Sequence, residues 1–185
     1  MAFNATPPSV TTLWAAKVPP EPHLGNTEWA CLAAAFGHLS PTFQRVLLPL
    51  RGCHRHAGLG HSASHPIVRQ LGTEEQRSLF FSPHHFTHFA GMSPEESRPL
   101  FEMLVDMVTR NRTTYRHRWS PGDLVAWDGR QTLHFGHTDF DRRHRRSLHR
   151  TTALYEASVA ASNTNDAPCY SMNETEELGA AFPAV

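Results

Sequence analysis

The chain has 185 residues, enough for one domain with its own core, and 39% of them are hydrophobic. Its 17 basic residues balance 17 acidic ones, so nothing in the whole-chain charge points to nucleic acid or an anionic membrane as partner. No apolar run approaches the length of a membrane span, the first residues lack the pattern of a signal peptide, and three cysteines without metal-type spacing argue against a disulfide framework, so a cytoplasmic protein with reduced thiols is expected.

Residues 11–18 read as a strand closed by Pro19 and Pro20. Residues 27–38 are Ala-rich and helical in composition. Ser40 and Pro41 form an N-cap and first helical position, opening a short helix that carries Phe43, Val46 and Leu47. Residues 51–64 read as a polar loop rich in glycine and histidine. Residues 66–70 and 78–82 look like two strands joined by a charged connection. Ser93, Pro94 and Glu96 have the spacing of a capping box. The helix that follows puts Leu100, Leu104 and Met107 or Val108 on one face, with Pro99 awkward inside its first turns. Residues 114–119 alternate as a strand does, and Pro121-Gly122-Asp123 is a turn. Residues 124–127 read as a buried-looking strand and residues 146–155 as another. From 157 to 185 the Ala, Ser, Asn, Thr and Glu composition predicts a disordered tail.

Short strands with a few helices between them fit a mainly β, double-sheet jelly roll with flanking helices better than a parallel βαβ sheet. The arginines are unevenly placed: 11 of them lie between Arg98 and Arg150, and lysine appears once, at Lys17. Arginine suits planar recognition of carboxylates. Arg146 and Arg150 are four apart, so on a strand they share one face, with Leu148, Thr152 and Leu154 beside them. The two leucines suggest a buried face, where arginines need anionic partners. Ordinary salt bridges, or solvated arginines on an edge strand, would satisfy the same pattern. His134 alone reads more readily as a hydrogen-bonded structural residue than as a ligand. Histidines clustered at 54, 56, 61 and 65, and at 84, 85 and 88, have metal-ligand chemistry but read better as loops without fixed geometry.

The order of these residues resembles the taurine dioxygenase-like family of Fe(II)/2-oxoglutarate enzymes. Trp127-Asp128-Gly129-Arg130, followed by Gln131-Thr132-Leu133-His134, is similar to the family's segment leading to its distal iron-binding histidine, with Gly129 standing where asparagine is usual. His65-Pro66-Ile67-Val68-Arg69, Gly91 to Ser97, Tyr115 to Asp123 and Gly25-Asn26-Thr27 extend the resemblance over residues 3 to 154. It implies a double-stranded β-helix of cupin type over residues 1–156. It assigns His134 to Fe(II), Arg146 and Thr27 to one carboxylate of 2-oxoglutarate, and Arg150 to a sulfonate or carboxylate of a small anionic organic substrate. The segment near His84 and Phe86 would lie on the substrate side. Self-association is left open.

The same resemblance places a His-X-Asp pair, the other two iron ligands, immediately before the segment matching Met1-Ala2-Phe3. The chain is therefore expected to be N-terminally incomplete as a dioxygenase, and inactive as written. His137-Thr138-Asp139 has the right local spacing, but one short loop would then have to present all three ligands, so it is rejected. The alternative is a catalytically dead short form that binds small anions or a partner.

Overall fold

The computed structural model describes residues 2–72, 76–110, 113–141 and 143–154. In chain order the elements are β1 (Val10–Lys17), β2 (Thr27–Cys31), α1 (Leu32–Gly37), α2 (Pro41–Leu47), β3 (Arg51–His56), β4 (His61–Pro66), β5 (Val68–Gln70), β6 (Arg77–Leu79), β7 (Phe86–Phe89), α3 (Pro94–Thr109), β8 (Thr114–His117), β9 (Leu124–Asp128), β10 (Thr132–Gly136) and β11 (Ser147–Ala153). The strands form antiparallel sheets in the orders β11-β1-β9, β10-β2-β8 and β4-β3-β7, with β5-β6 as a separate pair. This is the mainly β layout expected. The expected tail at 157–185 lies outside the described residues.

The first two sheets face each other across a small aromatic core. Ala15 of β1 packs with Trp29 of β2 and with Trp119, and Leu13, Val125, Trp127 and Leu148 surround them. A larger core lies on the far side of β2. There Ala30, Leu32 and Phe36 join Leu47, Ile67, Leu79, Phe89, Phe101, Leu104 and Val108 beneath the helices. Strand β2 is thus central in its sheet and packed on both faces.

Several local expectations hold. Ser40 Oγ accepts from Phe43 N at the start of α2. Ser93 Oγ accepts from Glu96 N, and Glu96 Oε2 accepts from Ser93 N at 2.8 Å, which completes the capping box of α3. Pro99 is accommodated inside that helix. Gly122 turns with φ +94°.

Others are corrected. Residues 27–38 are helical only from Leu32; Thr27–Cys31 is a strand because β8 and β10 pair with it on both sides. Cys31 then caps α1, its Sγ accepting from Ala34 N. Residues 51–64 are not a loop but the hairpin β3–β4, turned at Gly60 with φ +63°. Its His54 can be buried because both ring nitrogens are bonded: Nδ1 to Gly52 O at 3.1 Å and Nε2 to Ser82 N at 3.3 Å. The strand at 124–127 is not buried throughout, since Leu124 is 67% exposed while Val125 and Trp127 turn inward. Nor is the expected face of β11 buried throughout: Leu148 packs on the aromatic core, but the residues from His149 onward are exposed and Leu154 is 61% exposed. Cys31 is a free thiol. Among the described residues no helix is long and apolar enough to cross a membrane.

Candidate active site

Arg146 immediately precedes β11 and crosses to the second sheet. Its Nε donates to Gly25 O at 2.7 Å and its Nη2 to Thr27 Oγ1 at 3.1 Å. Trp119 Nε1 also donates to Thr27 Oγ1, at 2.9 Å. Thr27 is only 1% exposed. With two N–H donors already on its oxygen, its own hydroxyl hydrogen is left to donate. Gly25 is held in turn: its N–H donates to Asp139 Oδ1 at 2.7 Å, and Asp139 Oδ2 accepts from Arg116 at 2.9 Å. Gly25 has φ +63°, and a Cβ there would meet Pro19 Cγ at 2.9 Å and Arg146 Cδ at 3.3 Å. The guanidinium therefore sits in a seat that demands glycine. Burial lowers the pKa of Arg146 from its ordinary value, and the nearby Asp139 opposes that shift. It remains a cation at any physiological pH.

A cavity of about 500 Å³ opens between the two facing sheets. Thr11, Trp127, Arg150 and Thr152 line it from the first sheet, and His134 and Gly136 from the second. Phe80, Phe81 and His84 close another side. His134 stands on β10 opposite Trp29, its ring 4.9 Å from that of Trp127. Although solvent reaches it through the cavity, the surrounding walls, then the charge of Arg150 and His84, lower its pKa to about 4. It is a neutral imidazole with a lone pair at pH 7. Arg146 does not line the cavity itself. It lies just behind Gly136, where a Cβ would stand 3.8 Å from Nη2 and 4.0 Å from Nη1.

Of the four residues singled out in the sequence, His134 and Arg150 thus share the cavity, and Thr27 and Arg146 are hydrogen-bonded to each other at its margin. His84 lines the cavity as well. Phe86 does not: it is buried in the helix-side core, stacked on Phe101 at 3.7 Å. Trp119, Gly25, Asp139 and Gly136 complete the arrangement without having been singled out. The nearest signal was the G-N-T run containing Gly25 and the W-S-P-G-D run containing Trp119. Gly129, the departure from the family's asparagine, has a local cause, since a Cβ there would meet Pro8 O at 3.0 Å.

A carboxylate fits the Arg146–Thr27 pair, which offers a planar cation and a hydroxyl donor together. An iron ion does not find a complete ligand set. Among the described residues no three His, Cys, Asp or Glu side chains gather as a metal site. His137 and Asp139 are committed elsewhere, His137 Nε2 to Glu28 at 3.1 Å and Asp139 to Gly25 and Arg116. His54 has no free lone pair, and His65 Nε2 is bonded to Asn4 O at 2.9 Å.

Comparison with known proteins places the chain among relatives by sequence and by fold. The family model described as "Taurine catabolism dioxygenase TauD, TfdA family" matches residues 1–152. The chain is 32% identical over 174 residues to the alpha-ketoglutarate-dependent 2,4-dichlorophenoxyacetate dioxygenase of Cupriavidus pinatubonensis, covering 85% of this chain and 59% of that one. It is 34% identical over 101 residues to an alkylsulfatase of Acinetobacter baylyi, covering 55% of this chain and 31% of that one. The crystal structure of a taurine dioxygenase from Burkholderia xenovorans superposes with a TM-score of 0.76 at 35% identity, over 82% of this chain and 54% of that one. A structure of AAD-2 in complex with Mn(II) and N-oxalylglycine gives 0.75 at 27% identity, over 83% of this chain and 66% of that one. The chain spans 59% and 50% of the length of the first two curated relatives it matches. On the family match and these likenesses, the chain belongs to the TauD/TfdA dioxygenase family and has its jelly-roll fold.

Proposed function

We propose that these residues are the greater part of a cytoplasmic Fe(II)/2-oxoglutarate-dependent dioxygenase that hydroxylates a small anionic sulfonate or carboxylate. The observation that carries the reading is the hydrogen bond between Arg146 and Thr27 behind a cavity walled by His134 and Arg150. In this reading Arg146 and Thr27 hold the distal carboxylate of 2-oxoglutarate, and Arg150 holds the anionic group of the substrate. His134 offers its neutral lone pair to the metal. Dioxygen would be the oxidant, taking two electrons from oxidative decarboxylation of the keto acid and two from the substrate C–H bond, and the protein's part is to place the bond to be cut. Trp127, Phe80 and Phe81 give that bond apolar surroundings.

The described residues supply one of the three iron ligands the family resemblance requires. In this reading the 185 residues are inactive by themselves, for want of two further ligands among the described residues. Succinate release from 2-oxoglutarate, with Fe(II), ascorbate and a panel of sulfonates and aryloxy or alkyl carboxylates, tests it. No turnover is expected from the 185 residues, and substrate-dependent turnover from a form preceded by an in-frame His-X-Asp. Turnover by the 185 residues at a rate comparable to full-length relatives would mean that other side chains complete the site. The lack of a three-ligand cluster among the described residues favours one second reading, a short form that binds small anions without iron chemistry.

A further inference from the structure

Three aromatic side chains run in contact from the cavity to the protein surface. Trp127 lines the cavity. Its ring meets that of Trp29 edge to face, with centroids 5.4 Å apart. Trp29 stacks in turn on Tyr115 at 6.4 Å, the two being register partners on β2 and β8. Tyr115 is 62% exposed. It also has a base beside it. Its Oη lies 3.2 Å from His117 Nδ1, and His117 Nε2 lies 3.1 Å from Asp123 Oδ2. A carboxylate only accepts, so the imidazole hydrogen is on Nε2, and the neutral ring takes the phenol hydrogen bond at Nδ1. The neighbouring indoles have no such partner. Trp29 Nε1 is buried without an acceptor among the described residues, and Trp119 Nε1 donates to the Thr27 hydroxyl. Tryptophan and tyrosine give up one electron more readily than other ring side chains. Electron exchange falls steeply with distance, so rings in contact pass it on stepwise. A phenol that has lost an electron is a strong acid, and it holds the vacancy only if a base takes its proton. Of these rings Tyr115 is the one so placed.

We infer that Trp127, Trp29 and Tyr115 form a route by which an oxidising equivalent leaves the cavity, and that Tyr115 is the surface site on which it settles and is fixed by modification. A one-electron oxidant in the cavity, of the excited-quinone or oxygen-radical class, takes one electron from Trp127 and is reduced by it. Trp29 refills Trp127, Tyr115 refills Trp29, and the phenol proton moves to His117 Nδ1. The products are the reduced oxidant, a neutral Tyr115 phenoxyl radical, and a His117 imidazolium paired with Asp123. Two such radicals on separate chains join carbon to carbon as dityrosine, the displaced ring hydrogens returning to the phenol oxygens. The exposure of Tyr115 leaves room for that bond. Oxidation is thereby moved from the cavity wall to the surface. The route goes beyond the reading above and does not depend on it.

Anthraquinone-2-sulfonate, a photo-oxidant that carries a sulfonate, is flashed with the 185-residue chain. Transient absorption and electron spin resonance follow the radicals, and peptide mass spectrometry locates dityrosine. The unaltered protein is expected to show a tyrosyl radical growing in as a tryptophan radical decays, with dityrosine at Tyr115. Trp29→Phe keeps a ring in the core and loses no hydrogen bond, but phenylalanine does not yield an electron to this oxidant. It is expected to lower the Tyr115 radical severalfold while the phenol stays as exposed as before. His117→Gln keeps an acceptor without the base, and is expected to prolong the tryptophan radical. Equal oxidation of Tyr115 in Trp29→Phe would mean attack on the phenol from solution, and overturns the inference. A tyrosyl signal that survives Tyr115→Phe, or none in the unaltered protein, overturns it too. Trp127→Phe breaks the route one ring earlier, and replaces Trp29→Phe should that variant fail to fold by circular dichroism. An unchanged yield in Arg150→Ala, alongside the loss in Trp29→Phe, upholds the route and counts only against Arg150 as the partner of a sulfonate.

Discussion

Thr27 Oγ1 lies 3.1 Å from Arg146 Nη2, although 119 residues of chain separate them. The threonine comes from the middle strand of one sheet, and the arginine immediately precedes β11 of the other. Their contact joins the two sheets. Trp119 and Gly25 fix one partner each.

Arg146→Ala should raise the requirement for 2-oxoglutarate far more than that for substrate, by about 2–5 kcal/mol of binding. Arg150→Ala should do the reverse, because Arg150 lines the cavity and Arg146 lies behind its wall. Steady-state kinetics on a complete form, with each cosubstrate varied in turn, separates the two. Equal effects on both cosubstrates in either variant would exchange or cancel the assignments.

Thr27→Val keeps the shape of a fully enclosed side chain and deletes the acceptor of two hydrogen bonds. Trp119 Nε1 is then left buried without a partner, at a cost of about 1–3 kcal/mol in stability. Urea unfolding followed by tryptophan fluorescence checks this. A midpoint equal to that of the unaltered protein would show that the indole finds another acceptor.

Acid should destabilise the fold through two buried histidines. Burial, then the charge of neighbouring groups, lowers His54 from 6.5 to about 3 and His65 from 6.5 to about 4. Above pH 6.5 both rings are neutral in the folded and unfolded chains, so their contribution is complete. As pH falls below 6.5 the unfolded chain binds protons that the folded chain refuses, and stability declines until pH reaches about 3 to 4. Urea midpoints should be level from pH 7 to 8 and fall steadily from pH 6 to 4. The fall should become shallower in His65→Gln. A midpoint independent of pH across that window contradicts the prediction.

Ser93→Ala removes one half of the capping box on α3 and should lower stability by about 1 kcal/mol. The keto-acid affinity should not move, because α3 packs in the helix-side core and lines no part of the cavity. Paired unfolding and calorimetric titrations test both halves of that statement.

What the sequence made legible was local. The start of α3 could be read directly because its two capping bonds lie within four consecutive residues. Strand β2 could not, since its alanine and tryptophan favour a helix about as readily, and only β8 and β10, arriving some 85 and 105 residues later, supply its backbone partners. The hairpin β3–β4 was hidden for another reason. Its histidines look solvated by type, yet His54 is buried by bonds to Gly52 and Ser82 that no spacing announces. Arg146 and Arg150 were legible as a pair by their even separation. That they belong to different levels of the site, one on the cavity wall and one behind Gly136, is a property of the packed sheets. The link between Thr27 and Arg146 was reachable only through resemblance to a family.

Arg150 rides on β11, and Arg146 immediately precedes it. Among the described residues strand β11 is hydrogen-bonded to β1 alone, and most of its length is exposed. Such a strand can detach without unfolding the rest of the chain. Detachment would carry Arg150 away and loosen Arg146 in one motion. Anion affinity and the docking of β11 are then two readings of one equilibrium, and each must shift the other. Backbone amides of residues 147–153 should exchange with deuterium faster than those of β2, and adding a dicarboxylate should slow them selectively.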